Sequence, residues 1–199
     1  NIHSTNGVGL YNCDTSNWNV SNVTSMNKMF YEAKNFNSPL NSWDTSNLFS
    51  MYSIFTYSNF NQNINSWDVS KVIDMGYAFC NTENFNQPLN NWNVSNVENM
   101  IGMFGNSIFN QDISQWDISK VTNMSSMLYN AKFFNKNISK WNFDKVNYCD
   151  YMFDRAESFI NKYNSGEDLS YYTDDIKEWF NFNRDKMNEI DIKKTHGKK

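Results

Sequence analysis

Arginine is almost missing from this 199-residue chain: Arg155 and Arg184 stand against 15 lysines. Alanine is scarce too, at four, with two prolines and seven glycines. Those residues use mostly GC-rich codons, whereas the 36 asparagines use AT-rich ones. The composition therefore points to an AT-rich genome. The net charge is -4, which argues against a nucleic-acid footprint or attraction to an anionic membrane. Three cysteines, Cys13, Cys80 and Cys149, lie far apart at different phases of the pattern described below. Their odd number and the lack of any CxxC or Cys/His cluster argue against a disulfide framework or a zinc site. No run of 18 apolar residues exists, so no transmembrane helix is expected. The chain opens on Asn1 with no signal peptide or lipobox, which says nothing about what precedes it. His3 and His196 sit in the terminal segments, and no Ser/His/Asp, Cys/His, H-E-x-x-H or glycine-rich phosphate motif involves them.

What is abundant is repetition. Trp18, Trp43, Trp67, Trp92, Trp116 and Trp141 recur every 24 or 25 residues, each opening a near-copy of WDISKVTNMSSML. A fixed period of this length is the signature of stacked repeats. Aligned on Trp, the apolar columns are regular. Three before it stand Leu40, Ile64, Leu89, Ile113 and Ile138. Two after it stand Val20, Thr45, Val69, Val94, Ile118 and Phe143. Five after it stand Val23, Leu48, Val72, Val97, Val121 and Val146, followed by Met columns and a second-half Phe-Asn pair. Trp-x-Val alternates as a short strand does. The steps of three through Val121, Met124 and Met127 read as the apolar stripe of a short helix capped by Ser119 or its equivalents.

The expected fold is therefore an α/β solenoid of about six strand–turn–short-helix repeats, with a parallel sheet on one face. Its frame, Ile113-x-x-Trp116-x-Ile118-x-x-Val121, has leucine-rich-repeat spacing. Residues 1–15 read as an N-terminal cap or degenerate repeat, 16–163 as the repeats, and 164–199 as a capping helix and basic tail. In the last segment, residues 173–188 read as a helix capped by Thr173, with Ile176, Trp179, Phe180 and Met187 on one face.

The repeat resembles that of the mycoplasma-type surface lipoproteins, also described as the bacterial surface protein 26-residue repeat. Phe85–Met103 and Phe109–Met127 carry the closest match. The resemblance covers about 150 residues and implies a leucine-rich-repeat-like solenoid, of a kind found on bacterial surfaces and in large DNA viruses. It brings no catalytic residues and no cofactor.

The candidate binding strip is the column beside Trp: Asn19, Asp44, Asp68, Asn93, Asp117 and Asn142. It can bind protein, glycan or a cation, or be an amide ladder bonded between coils. Only Asp44 and Asp68 are adjacent carboxylates, so no metal site is expected. Trp18, Trp43, Trp67, Trp92, Trp116 and Trp141 are assigned to a stacked core ladder. The Asn of each Phe-Asn pair, Asn37, Asn61, Asn86, Asn110 and Asn135, can form a second ladder but is expected to bond within its own turn. The Met columns are assigned to packing, and the five Asn-x-Ser/Thr sequons to repeat composition.

The expected function is a non-enzymatic scaffold, without cofactor, that contacts other proteins: surface or coat proteins, or copies of itself. It is placed at the cell surface or secreted, alternatively in a virion, with no nucleic acid and no direct membrane insertion. Two alternatives stand beside it: a glycan- or cation-binding adhesin, and a structural or assembly protein of a large DNA virus particle.

Overall fold

The computed structural model describes residues 13–164 and 176–196, the side chains of 194–196 excepted. Residues 1–12 of the expected N-terminal cap, His3 among them, the side chain of His196, the Thr173 cap and the end of the basic tail lie outside the described residues.

Six coils, counted here from their tryptophans, stack one on the next. Backbone bonds join successive coils through residues 23 to 26 apart, but not as a sheet. The α/β solenoid with a parallel sheet and leucine-rich-repeat-like helices is overturned. The described residues hold no β-strand, and the two helices, both at the C-terminal end, lie outside the regular coils. Isolated parallel bridges alone join Ser25, Ser50, Asp74, Asn99, Asn123 and Tyr148.

The physical reason lies in turns. A β-turn closes over three residues, so its first and last residues can both face the core. Trp43 N–H bonds Leu40 O, Leu48 N–H bonds Thr45 O, Ile54 N–H bonds Met51 O and Ser58 N–H bonds Phe55 O. The three-residue apolar step is therefore a run of successive turns. From Trp to five residues past it, no described backbone hydrogen bond crosses between coils. The alternation of Trp-x-Val does bury Trp67 and Val69 and expose Asp68, without strand pairing.

The helix reading of the Val-to-Phe half fails for a second reason. Lys28, Ser53, Tyr77, Gly102, Ser126 and Tyr151, ten residues after each Trp, all have φ between 53° and 59°. So do Glu32, Tyr57, Asn81, Asn106, Asn130 and Arg155, four residues later. A left-handed residue breaks a right-handed helix and costs non-glycine residues about 1–2 kcal/mol. What offsets it is bonding across coils. Met51, Ser53, Phe55 and Tyr57 N–H donate to Asp74, Gly76, Ala78 and Cys80 carbonyls at 2.8–3.1 Å. Alternate N–H groups point to the next coil; between them Ile54 and Thr56 close local turns, and Tyr52 N–H donates back to Asn27 Oδ1.

The core is a set of aromatic columns. Phe30, Phe55, Phe79 and Phe104 stack at 5.4–5.6 Å. Phe36, Phe60, Phe85 and Phe109 stack beside them at 6.1–6.2 Å. Trp43 stacks on Trp67 at 6.1 Å and 4°.

Beyond coil 6, the described residues form no further coil to accept crossing N–H groups, and the backbone turns to internal bonding. Helix α1, Glu157–Tyr163, carries Phe159 into the second phenylalanine column, 6.2 Å from Phe134. Helix α2, Ile176–His196, buries Ile176, Trp179, Phe180, Asn183 and Met187. Phe180 lies 4.4 Å from Phe143 of coil 6, and Arg184 donates to the Trp141 carbonyl. The helix continues past the expected residue 188, where Glu189 and Lys193 pair across one turn at 3.6 Å. No helix among the described residues is long and apolar enough to cross a membrane.

Candidate functional site

All six strip residues, Asn19, Asp44, Asp68, Asn93, Asp117 and Asn142, are exposed. Their geometry is local. Each uses its side-chain oxygen to accept the backbone N–H two residues on, at 2.9–3.2 Å. These Asx turns open each coil's first bend. Ser46 and Ser70, through their hydroxyls and then their N–H groups, hold the Asp44 and Asp68 carboxyls below the usual 3.8. The Ser119 N–H and then its hydroxyl do the same for Asp117. Lys71 adds its charge to Asp44 and Asp68 and bonds Asn47 at 2.9 Å. The one adjacent carboxylate pair thus already faces a cation. The strip offers exposed hydrogen-bonding edges of mixed charge.

The Phe-Asn column takes the bridging role instead. Asn61 N–H bonds Asn37 Oδ1, Asn86 N–H bonds Asn61 Oδ1, Asn110 N–H bonds Asn86 Oδ1 and Asn135 N–H bonds Asn110 Oδ1. Distances run 2.8–3.1 Å. These asparagines join coil to coil rather than bonding within their own turn.

Five of the six ladder tryptophans, Trp43, Trp67, Trp92, Trp116 and Trp141, are buried, and Trp18 is partly so. The first two rings stack at 6.0 Å. Each buried indole also donates to the carbonyl three residues before the preceding coil's Trp: Thr15, Leu40, Ile64, Leu89 and Ile113 in turn. Leu40 O also accepts the Trp43 backbone N–H, so both lone pairs of this buried carbonyl are used.

A second surface lies in the segment from six to fourteen residues past Trp. Phe49 and Ile73, equivalent residues on neighbouring coils, are about half exposed, at 46% and 45%. Tyr57, Tyr148 and Tyr151 are exposed as well. Tyr52 meets Tyr77 edge-on at 5.7 Å, and Tyr31 meets Tyr57 at 6.0 Å. The Tyr77 ring lies against Gly102, where an added Cβ would stand 2.4 Å from two ring carbons. Column averaging hides this surface, because its aromatics change position from coil to coil. The usable signal is an apolar residue in a column that is polar elsewhere, such as Phe49 where coil 4 has Glu98.

At the helical end, Lys162 pairs with Asp191 at 2.6 Å and donates to Asn135 O at 3.0 Å. The Tyr163 hydroxyl donates to Asp191 at 3.1 Å. Burial first, then the Asp191 charge, pushes the Tyr163 hydroxyl far up, so it stays protonated as a donor. In coils 3 to 5 the equivalent carbonyls, Asn61 O and Asn86 O, accept Gln87 and Gln111 instead. This cluster therefore latches the helices to the stack.

The three cysteines are free thiols. Burial pushes Cys80 up to about 11, which keeps it a thiol rather than a nucleophilic thiolate. Among the described residues no three His, Cys, Asp or Glu side chains converge as metal ligands.

The model of the family described as "Mycoplasma protein of unknown function, DUF285" matches residues 4–108, 56–166 and 92–193, in overlapping spans. No curated protein and no solved structure matches the chain.

Proposed function

The chain belongs to that family of repeat proteins, and we propose that it is a non-catalytic scaffold that contacts other proteins at a cell or virion surface. The observation that carries this reading is the aromatic surface around Phe49, Tyr57 and Ile73. Exposed apolar groups clustered on one segment of a stack favour association, and tyrosine suits protein interfaces because it joins apolar area to a polar tip. The recurrent polar groups support a scaffold rather than catalysis. The Asx oxygens, indole N–H groups and column asparagines are occupied in turns and coil contacts.

A photo-crosslinking phenylalanine analogue placed at Tyr57 tests the contact. It should yield a covalent adduct with one defined surface or coat protein, whereas the same analogue at Glu83 should not. Equal labelling from both positions ends the proposal. Mass spectrometry of surface-shaved cells and of purified virions tests the location, and absence from both overturns it.

A further inference from the structure

We infer that an amide-lined groove across coils 2 to 4 binds a neutral oligosaccharide. The inference is independent of the aromatic surface, which lies on another segment of the coil. The groove is open to solvent, offers about 400 Å³ and is lined by Pro39, Asn41, Gln62, Asn63, Asn65, Ser66 and Asn91. None of these side chains carries a charge. The neighbouring concavity at the helical end, of about 250 Å³, contrasts with it, being lined by Asp112, Lys136, Lys162 and Asp191. A charged ligand has partners there and none in the amide groove.

The chemistry of the lining selects the ligand. A carboxamide both donates and accepts, as does a sugar hydroxyl, so adjacent hydroxyls can pair with one amide in both senses. Exposed Pro39 supplies an apolar patch for the C–H face of a ring.

Part of the lining is already oriented. Asn65 accepts the Asn91 N–H at 3.0 Å and donates to Asn90 at 3.2 Å. Asn63 accepts the Asn65 N–H at 2.9 Å, and Ser66 Oγ donates to Asn41 O at 3.0 Å. Such preorganisation lowers the ordering cost of binding.

Other donors remain available. Gln62 shares its column with Gln87 and Gln111, whose amides each bond both oxygens of the asparagine one coil earlier. Gln62 makes no such bond among the described residues, nor does the amide nitrogen of Asn63. The column is tied down in the coils that follow and open here.

The test is a titration of the full chain, followed by side-chain amide resonances, with neutral tri- and tetrasaccharides of mannose, galactose and glucose. Sialylated counterparts serve as charged probes. Amides of Asn41, Gln62 and Asn63 should shift and saturate with at least one neutral sugar. Gln62→Ala, which removes no hydrogen bond of the fold, should weaken that binding about tenfold. Asp112→Asn, in the charged concavity, should leave it unchanged. The inference is overturned if no neutral sugar shifts these amides at millimolar concentration. Unchanged binding by Gln62→Ala, tighter binding of the sialylated forms, or shifts confined to other residues would overturn it equally.

Discussion

The stacked coils and the helical end use opposite kinds of bonding. In the coils, many backbone N–H groups reach a partner 23 to 26 residues away, and the core is ordered into columns. The four ion pairs among the described residues all involve residue 132 or later, at or near the helices. The stack up to that point is held by apolar columns and hydrogen bonds, a few of them to single charges such as Lys71 on Asn47, without ion pairs among the described residues. The helical end relies on side-chain contacts that occur once, such as Lys162–Asp191 and Phe180 on Phe143. A repeat can reuse one bond at every coil, because each neighbour presents the same acceptor. An end has no such neighbour and needs individual solutions.

The largest expected effect separates the two regions directly. Trp92→Ala removes a fully packed indole and its bond to Ile64 O, and should cost about 3–5 kcal/mol in urea unfolding. Trp179→Ala, which loses Phe159, Phe180 and the Asn164 bond, should release α2 while the coils keep their amide-exchange protection. If it unprotects the coils as widely as Trp92→Ala, the regions form one cooperative unit and the comparison breaks.

The asparagine column comes next. Asn86→Ala leaves the Asn110 N–H without its acceptor and the Gln111 amide with only the residue-86 carbonyl, and should cost about 1–3 kcal/mol. Thermal unfolding of this variant beside Asn147→Ala, an exposed amide with no side-chain bond to another coil among the described residues, measures the difference. Equal losses would deny the column its bridging role.

Electrostatics should act mainly at the helices. Lys162→Met should cost on the order of 1 kcal/mol, because the Lys162–Asp191 pair is partly exposed. High salt should reproduce part of that loss in α2 exchange and leave coils 2 to 4 unchanged. Salt-sensitive exchange in those coils would contradict the division.

The smallest effect concerns acid. The folded-state pKa values of Asp44, Asp68 and Asp117 lie below 3.8, so their contribution is present above that value. It is lost as pH falls through the depressed values. The triple variant Asp44→Asn, Asp68→Asn, Asp117→Asn keeps the Asx acceptors, as Asn19 and Asn93 do in their coils. Its urea midpoint should change less than that of the wild type between about pH 5 and pH 2. Parallel pH curves would remove these carboxylates from the account.

The columns could be read from sequence because side-chain size and polarity mark which positions face inward. Leu40, Trp43 and Leu48 are buried, and Asp44 is exposed. Backbone conformation could not be read in the same way. An apolar step of three suits a helix and a chain of turns alike, and the left-handed residues that decide between them include Lys28, Tyr57 and Tyr151 as well as Gly102. Their residue types carry almost no conformational signal, since the next coil enforces their geometry. The Phe-Asn column bridges coils instead of bonding within its own turn for a related reason. An amide can bond its own turn or its neighbour with equal chemistry, and only the distance between coils chooses. The candidate strip was visible as an exposed column, whereas the aromatic surface and the amide groove each join residues from different columns.

By itself, the sequence determined the period and the inward columns. Burial requires the same apolar residues in every coil, so the pattern survives without coordinates. The tertiary structure decided how the backbone satisfies its N–H groups: by turns and bonds to the next coil instead of strands and helices. That choice belongs to the stack, because a single coil has no partner to receive the bonds that define its shape.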